Sequence, residues 1–190
     1  MACSGDKKVS TKPTESPEMD SLRIDSSEMD STSIDVPNTA YYTVSGLIEK
    51  TGVYCGGAAP PEELLRKLRQ KKPLAGYMLY IRKGNTNAQE SAVIDSTTTR
   101  TDGTFEFQLP PGEYVLLARH HKHKTILQTW QDDKNIKITD QECLEKWWEN
   151  GLTKLNVRDH AINTINFHFQ EKCFLPLGVP CLDYVGTLPP

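Results

Sequence analysis

From Tyr41 onward, apolar and polar residues fall into short runs at the two-residue spacing of β-strands, separated by strong turn signals. TVSGLIEK (43–50) is the first run; GYMLYIRKGN (76–85) and SAVIDSTTT (91–99) follow. The pattern is clearest between Thr101 and His121. An Asp102-Gly103 hairpin turn leads into a strand with Phe105, Phe107 and Leu109 on one face. A Pro110-Pro111-Gly112 turn then leads into a strand through Tyr114, Leu116 and Ala118. Glycine supplies the positive φ such turns need, and aspartate bonds its own backbone there. LTKLNV (152–157) and AINTINFHFQ (161–170) bring the predicted strands to seven, the last with Ile165, Phe167 and Phe169 inward and Asn166 and His168 outward.

Two stretches switch to helical spacing. PEELLRKLRQ (61–70) begins with Pro and Glu, ends with basic residues as the helix dipole prefers, and aligns Leu64, Leu65 and Leu68. TDQECLEKWWENG (139–151) offers a capping box in Thr139 and Glu142 and a stop at Gly151, with Cys143, Leu144, Trp147 and Trp148 on one face. A disulfide at Cys143 is expected to staple this second helix to the strands. The closing segment, 173–190, has too many prolines for a central strand and is expected to be a structural clasp.

Residues 1–40 have no aromatic residue, are rich in Ser, Thr, Pro and Asp, and carry four basic against eight acidic side chains. Such a composition cannot bury enough apolar surface to offset the entropy of ordering, so a disordered acidic tether is expected there. It contains a weak repeat, PEMDSLRID (17–25) and SEMDSTSID (27–35), with a period too short for a solenoid. As a coil the tether would reach on the order of 35 Å. The whole chain, 190 residues with a net charge of −3, has no basic surface of the kind that counterion release from nucleic acid requires. Nucleic acid is therefore not an expected partner. No apolar run approaches the ~20 residues that span a bilayer.

The five cysteines stand at 3, 55, 143, 173 and 181. The opening MACSGDKK resembles the mature start of a bacterial lipoprotein, in which a small residue precedes the lipidated Cys. The resemblance implies lipidation at Cys3 and attachment to a membrane of the bacterial cell envelope, periplasmic or surface-exposed. It also implies that the apolar signal segment is not part of this chain. Cys55, Cys143, Cys173 and Cys181 are then expected to form two disulfides, with three possible pairings. A zinc site for the same four is disfavoured, because close Cys pairs are absent.

The phrase running from the Asp-Gly turn through Phe-x-Phe-x-Leu, Pro-Pro-Gly and Glu-Tyr-Val-Leu resembles the carboxypeptidase regulatory-like domain. VSGLIEKTG is similar to that family's opening strand and KPLAGYMLYI (72–81) to its second. The likeness covers about residues 42–120, and the insert VYCGGAAPPEELLRKLRQK departs from it. It implies an all-β fold over 41–190: a seven-stranded antiparallel, prealbumin-like (transthyretin-like) β-sandwich with two short helical insertions. Such domains serve as structural or interaction modules, so the resemblance implies no active site, no cofactor and a protein partner.

Four constellations bear on chemistry. In HHKHK (120–124), His121 and His123 would project on one side of a strand end and could share a metal, but Lys122 and Lys124 oppose a cation. Trp130, Trp147 and Trp148 could stack a sugar, although tryptophans on a helix beside Leu144 more often pack against a sheet. CGGAAPP (55–61) lacks the Lys and Ser/Thr of a phosphate loop and is expected to be a disulfide-pinned turn. YVGT (184–187) is similar to the C-terminal Tyr-Arg-Gly-Ser of transthyretin-like hydroxyisourate hydrolases, but Val185 stands where that chemistry needs Arg. The expectation is a non-catalytic binding or scaffolding module.

Overall fold

In the computed structural model, which describes residues 40–187, the first sheet is built around β1 (Tyr42–Thr51). The expected tether, its repeat and Cys3 lie outside the described residues. One edge of β1 pairs antiparallel with β5 (Thr104–Leu109), from Tyr42 opposite Leu109 to Leu47 opposite Thr104, and then with the two-residue β2 (Lys72–Pro73). The other edge pairs in parallel with β9 (Ile162–Gln170). The second sheet is antiparallel throughout, in the order β4 (Val93–Thr98), β3 (Met78–Lys83), β6 (Gly112–Ala118), β8 (Thr153–Val157).

Alternation along these strands points one set of side chains from each sheet into a shared core. Val44, Ile48, Phe105, Phe107, Leu109 and Phe169 meet Leu79, Ile81, Tyr114, Leu116, Leu155 and Val157, all buried. The architecture is thus an all-β sandwich, and each of the seven runs read as a strand is one. The finer expectation needs correction in three respects. The described residues hold ten strands, the extra ones being β2, β7 (Ile136–Ile138) and β10 (Leu182–Tyr184). The β1–β9 pair is parallel, because β9 enters from the opposite sheet rather than folding back on a neighbour. The Asp102-Gly103 turn is not a hairpin: it carries the chain from β4 in one sheet to β5 in the other. Its local chemistry is nonetheless the expected one, since Gly103 has φ 80° and the Asp102 carboxylate accepts from the Thr104 amide and hydroxyl.

Where β9 carries one more residue than β1, between Ile162 and Ile165, the strands approach so closely that a Cβ on Gly46 would overlap the Ile165 carbonyl oxygen. Only glycine fits there.

Among the described residues three helices, rather than two, accompany the strands: α1 (Glu62–Arg69), α2 (Thr125–Asp132) and α3 (Gln141–Asn150), with a single 3-10 turn at Arg119–His121. Helix α2 was not expected, although Ile126, Leu127 and Trp130 have helical spacing and Leu127 and Trp130 are buried. The cap of α3 is Asp140, not Thr139: its carboxylate accepts from the Cys143 amide, while the Thr139 amide donates to the Cys181 carbonyl. Helices α2 and α3, the β7–β10 ribbon and the C-terminal segment enclose a second core of Leu127, Trp130, Leu144, Trp148, Val179 and Leu182. The end of α3 rests on the outer face of the second sheet: Gly151 turns the chain at φ 64°, and a Cβ there would press on Val115 and Leu117. Strand β6 is consequently buried on both faces from Tyr114 to Ala118.

The four cysteines pair as Cys55–Cys173 and Cys143–Cys181, with Cα atoms 5.5 and 6.3 Å apart. The first pair follows from the parallel strands. Thr51 and Gln170 end side by side, so the segments leaving them converge at Cys55 and Cys173. The second pair joins α3 to the segment entering β10, so Cys143 staples its helix to the C-terminal clasp rather than to the sandwich. Each bridge closes a long loop, of 118 and 38 residues in sequence separation. Replacing Cys55 and Cys173 together by serine is expected to lower unfolding free energy by about 2–5 kcal/mol. Urea unfolding measures it, and an unchanged midpoint would show that the bridge contributes nothing.

Candidate functional site at the histidine run

Strand β6 stops at Ala118, and the next three residues turn as a 3-10 helix. The alternation that would have put His121 and His123 on one side of a strand is thereby lost. His121 is wholly buried, with its ring 4.0 Å from that of Trp147. Its Nδ1 accepts from the Ala118 amide at 3.2 Å, which leaves the ring proton on Nε2. Burial pushes its pKa down to about 4, and the neighbouring His120 adds to the fall. His123, by contrast, is exposed. The two imidazoles that could have shared a metal on a strand are parted: His121 is sealed in the interior while His123 faces solvent. Among the described residues, no group of three or more His, Cys, Asp or Glu side chains is placed to hold a metal.

Around His121 lies a buried polar hub that the sequence did not announce. Arg82, next to the end of β3, is 4% exposed and has no carboxylate partner among the described residues. Its Nη1 donates to Asn87 Oδ1 (2.7 Å) and the Ala88 carbonyl (2.9 Å), and its Nη2 donates to the Lys122 carbonyl (2.8 Å). Desolvation lowers its pKa, with Glu90 nearby opposing the shift. Asn87, 1% exposed, donates from Nδ2 to the carbonyls of His121 (2.8 Å) and Trp148 (2.9 Å), and its own amide donates to the Glu149 carbonyl (2.7 Å). These last two are among the carbonyls that the end of α3 leaves without helical partners. A charged residue within the apolar run MLYIRK was the one visible signal for Arg82; Asn87, in GNTNAQE, reads as any loop asparagine.

The tryptophans expected either to stack a sugar or to pack belong to the second core. Trp130 and Trp148 are buried, and Trp147 is half-buried between His121 and Trp130. They offer no open platform.

The same 3-10 turn borders two adjoining depressions. The larger, of about 400 Å³, is lined by Leu74, Tyr77, Arg119, His120, Pro176 and Leu177 among others. The smaller, of about 190 Å³, shares Arg119 and His120 and adds His123, Thr125, Ile126 and Thr129. No acidic side chain lines either. Tyr77 is 7% exposed; its amide donates to Thr99 Oγ1, but its buried hydroxyl has no partner. Burial raises its pKa to about 12, and the Arg119 charge offsets part of that rise. Burial and Arg119 together push His120 down to about 4, and its ring meets Trp130 edge-on at 5.5 Å.

No protein-family model matches the chain, and no curated protein matches it. Among solved structures, the minor pilin GBS52 of Streptococcus agalactiae aligns at 17% identity and a TM-score of 0.34, covering 72% of this chain and 47% of that one. A shaft pilin of Lactobacillus rhamnosus GG aligns at 12% identity and 0.39, covering 70% and 52%. A DUF3823 family protein of Parabacteroides merdae aligns at 15% identity and 0.33, covering 69% and 46%. The chain spans about half the length of these three. At such scores the sandwich rests on its own strands and core.

His120 and His121 titrate near 6.5 when unfolded and near 4 when folded. The unfolded chain therefore binds more protons in that window, and stability present above about pH 6.5 is lost as pH falls toward about 4. In His121→Gln, the loss of unfolding free energy from about pH 7 to about pH 5 should be smaller by about 2 kcal/mol. Urea unfolding at the two pH values measures this. Equal losses in the two proteins would mean that His121 is not held neutral.

Proposed function

We propose that the chain is an exported, non-catalytic binding or scaffolding module of the bacterial cell envelope, tethered to a membrane through lipid on Cys3. The observation that carries this reading is the pairing of four of the five cysteines across long stretches of sequence, Cys55 with Cys173 and Cys143 with Cys181. Such bridges persist in oxidising compartments and are uncommon in reducing ones. Cys3 is then left for the anchor that MACSGDKK resembles, with residues 4–40 as the spacer that holds the sandwich clear of the lipid. The reading assigns the domain no reaction, and its partner is a protein that docks on the displayed sandwich.

Intact mass with thiol alkylation, before and after reduction, tests this on material exported through its natural signal. Cys55, Cys143, Cys173 and Cys181 should react only after reduction, and the N-terminal peptide should carry the mass of a lipid on Cys3. Five thiols reactive without reduction would contradict export. An unmodified Cys3 beside two intact bridges would contradict the anchor alone.

A further inference from the structure

A strand at the edge of a sheet presents unpaired backbone N–H and C=O groups to any further strand, and folded chains blunt such edges with charge, proline or brevity. Strand β9 has none of these. It runs nine residues, Ile162–Gln170, without a proline or a Lys, Arg, Asp or Glu, whereas each of the other described strands carries at least one charged residue. The remaining edges of the sandwich show the contrast: Asp95 stands in β4, Glu106 in β5 and Lys154 in β8. One edge of β9 is taken by β1, and among the described residues no strand pairs with the other. From Ile165 to Gln170 the register with β1 is unbroken, so the open edge is regular there.

The two faces of β9 also suit pairing with a copy of itself. Ile165, Phe167 and Phe169 point toward the core, while Asn166 and His168 are exposed on the outer face. Beside β8 the two sheets part around a cleft of about 330 Å³, which leaves Ile162, Ile165 and Phe167 only half-buried. Residues directly opposite in an antiparallel ladder share a face. Two copies of β9 related by a two-fold axis at Asn166 therefore set Asn166 against Asn166 on the outer face and Ile165 against Phe167 on the inner one. An aromatic ring opposite a β-branched side chain is a favourable cross-strand match, and no like charges meet in this pairing.

We propose that the open edge of β9 is a homodimer interface, at which a second copy of this chain pairs antiparallel through the same strand and joins the two first sheets into one continuous sheet. A two-fold pairing of this kind closes on itself and ends at two copies. The inference goes beyond the envelope-module reading and does not depend on it, since the interface is built wholly from the folded domain.

Sedimentation velocity of the full chain across a wide range of concentration tests it, with both disulfides formed and Cys3 alkylated so that no bridge can join two copies. A concentration-dependent dimer should appear, and hydrogen exchange should show the outward amides of β9 gaining protection as it forms. Asn166→Lys, at an exposed position, sets two lysines against each other at the axis and should weaken the dimer about tenfold or more while leaving the monomer folded. Ser96→Lys puts the same charge on the edge strand β4, also at an exposed position, and should leave the dimer unchanged. A monomer at every concentration would overturn the proposal. Protected outward amides in that monomer would assign the edge to residues 1–39 of the same chain; freely exchanging ones would leave it to solvent. A dimer that Asn166→Lys does not weaken, one that Ser96→Lys weakens equally, or assembly beyond two copies would overturn it as well. The exchange measurement uses the unsubstituted chain, so it decides the matter even if Asn166→Lys fails to fold.

Discussion

The Asn87 side chain accepts from Arg82 in the second sheet and donates to the carbonyls of His121 and Trp148, so a single buried amide spans the sandwich, the turn after β6 and the end of α3. The second core depends on this joint. Helices α2 and α3 are short, of eight and ten residues, and helices of that length are marginal alone in water. Their stability must come from packing, and the packing needs α3 held against the outer face of β6. The Arg82 guanidinium meets that need without a carboxylate. Three bonds to neutral oxygens take the place of an ion pair, at the cost of keeping a charge in the interior. With Asn87 and its carbonyl partners in place, both terminal nitrogens of the guanidinium are bonded and Nε alone lacks a partner; without them the charge would be stranded.

The joint also explains what the histidine run does. A strand reaching past Ala118 would have carried two imidazoles on one side. The 3-10 turn instead sends His121 inward, where its carbonyl serves Asn87 and its ring packs on Trp147, and leaves Arg119 and His120 at the rim of an open depression. One short segment thus supplies both a fixed structural element and an accessible surface. The bridges act on the same frame from outside. Cys55–Cys173 locks the ends of the parallel pair, and Cys143–Cys181 holds α3 to the segment that closes the second core.

Much of the sandwich was legible because strand alternation is a local signal. Phe105, Phe107 and Leu109, or Ile165, Phe167 and Phe169, mark their inner faces within a few residues of sequence. Topology was less legible, because a turn's residues fix its φ angles but not which sheet receives the next strand. Asp102-Gly103 reads as a hairpin and acts as a crossing between sheets. The cysteine pairing was hidden for a related reason, since it follows from the parallel registry of β1 and β9, strands separated by more than half the chain. Helix α2 was missed because its pattern occupies only eight residues directly after a histidine run that reads as a strand end. The hub was hardly visible at all: Asn87 and Trp148 are 61 residues apart, and nothing in GNTNAQE marks one asparagine as buried.

The central claim is that the second core is fixed to the sandwich through Asn87, and hydrogen exchange of the Asn87→Ala protein tests it most directly. With the two disulfides intact, amides of α2 and α3 should lose protection, while those shared between β1 and β5 keep theirs, because the first sheet does not depend on the joint. Protection lost equally throughout, or kept throughout, would contradict the claim that this amide couples the two cores.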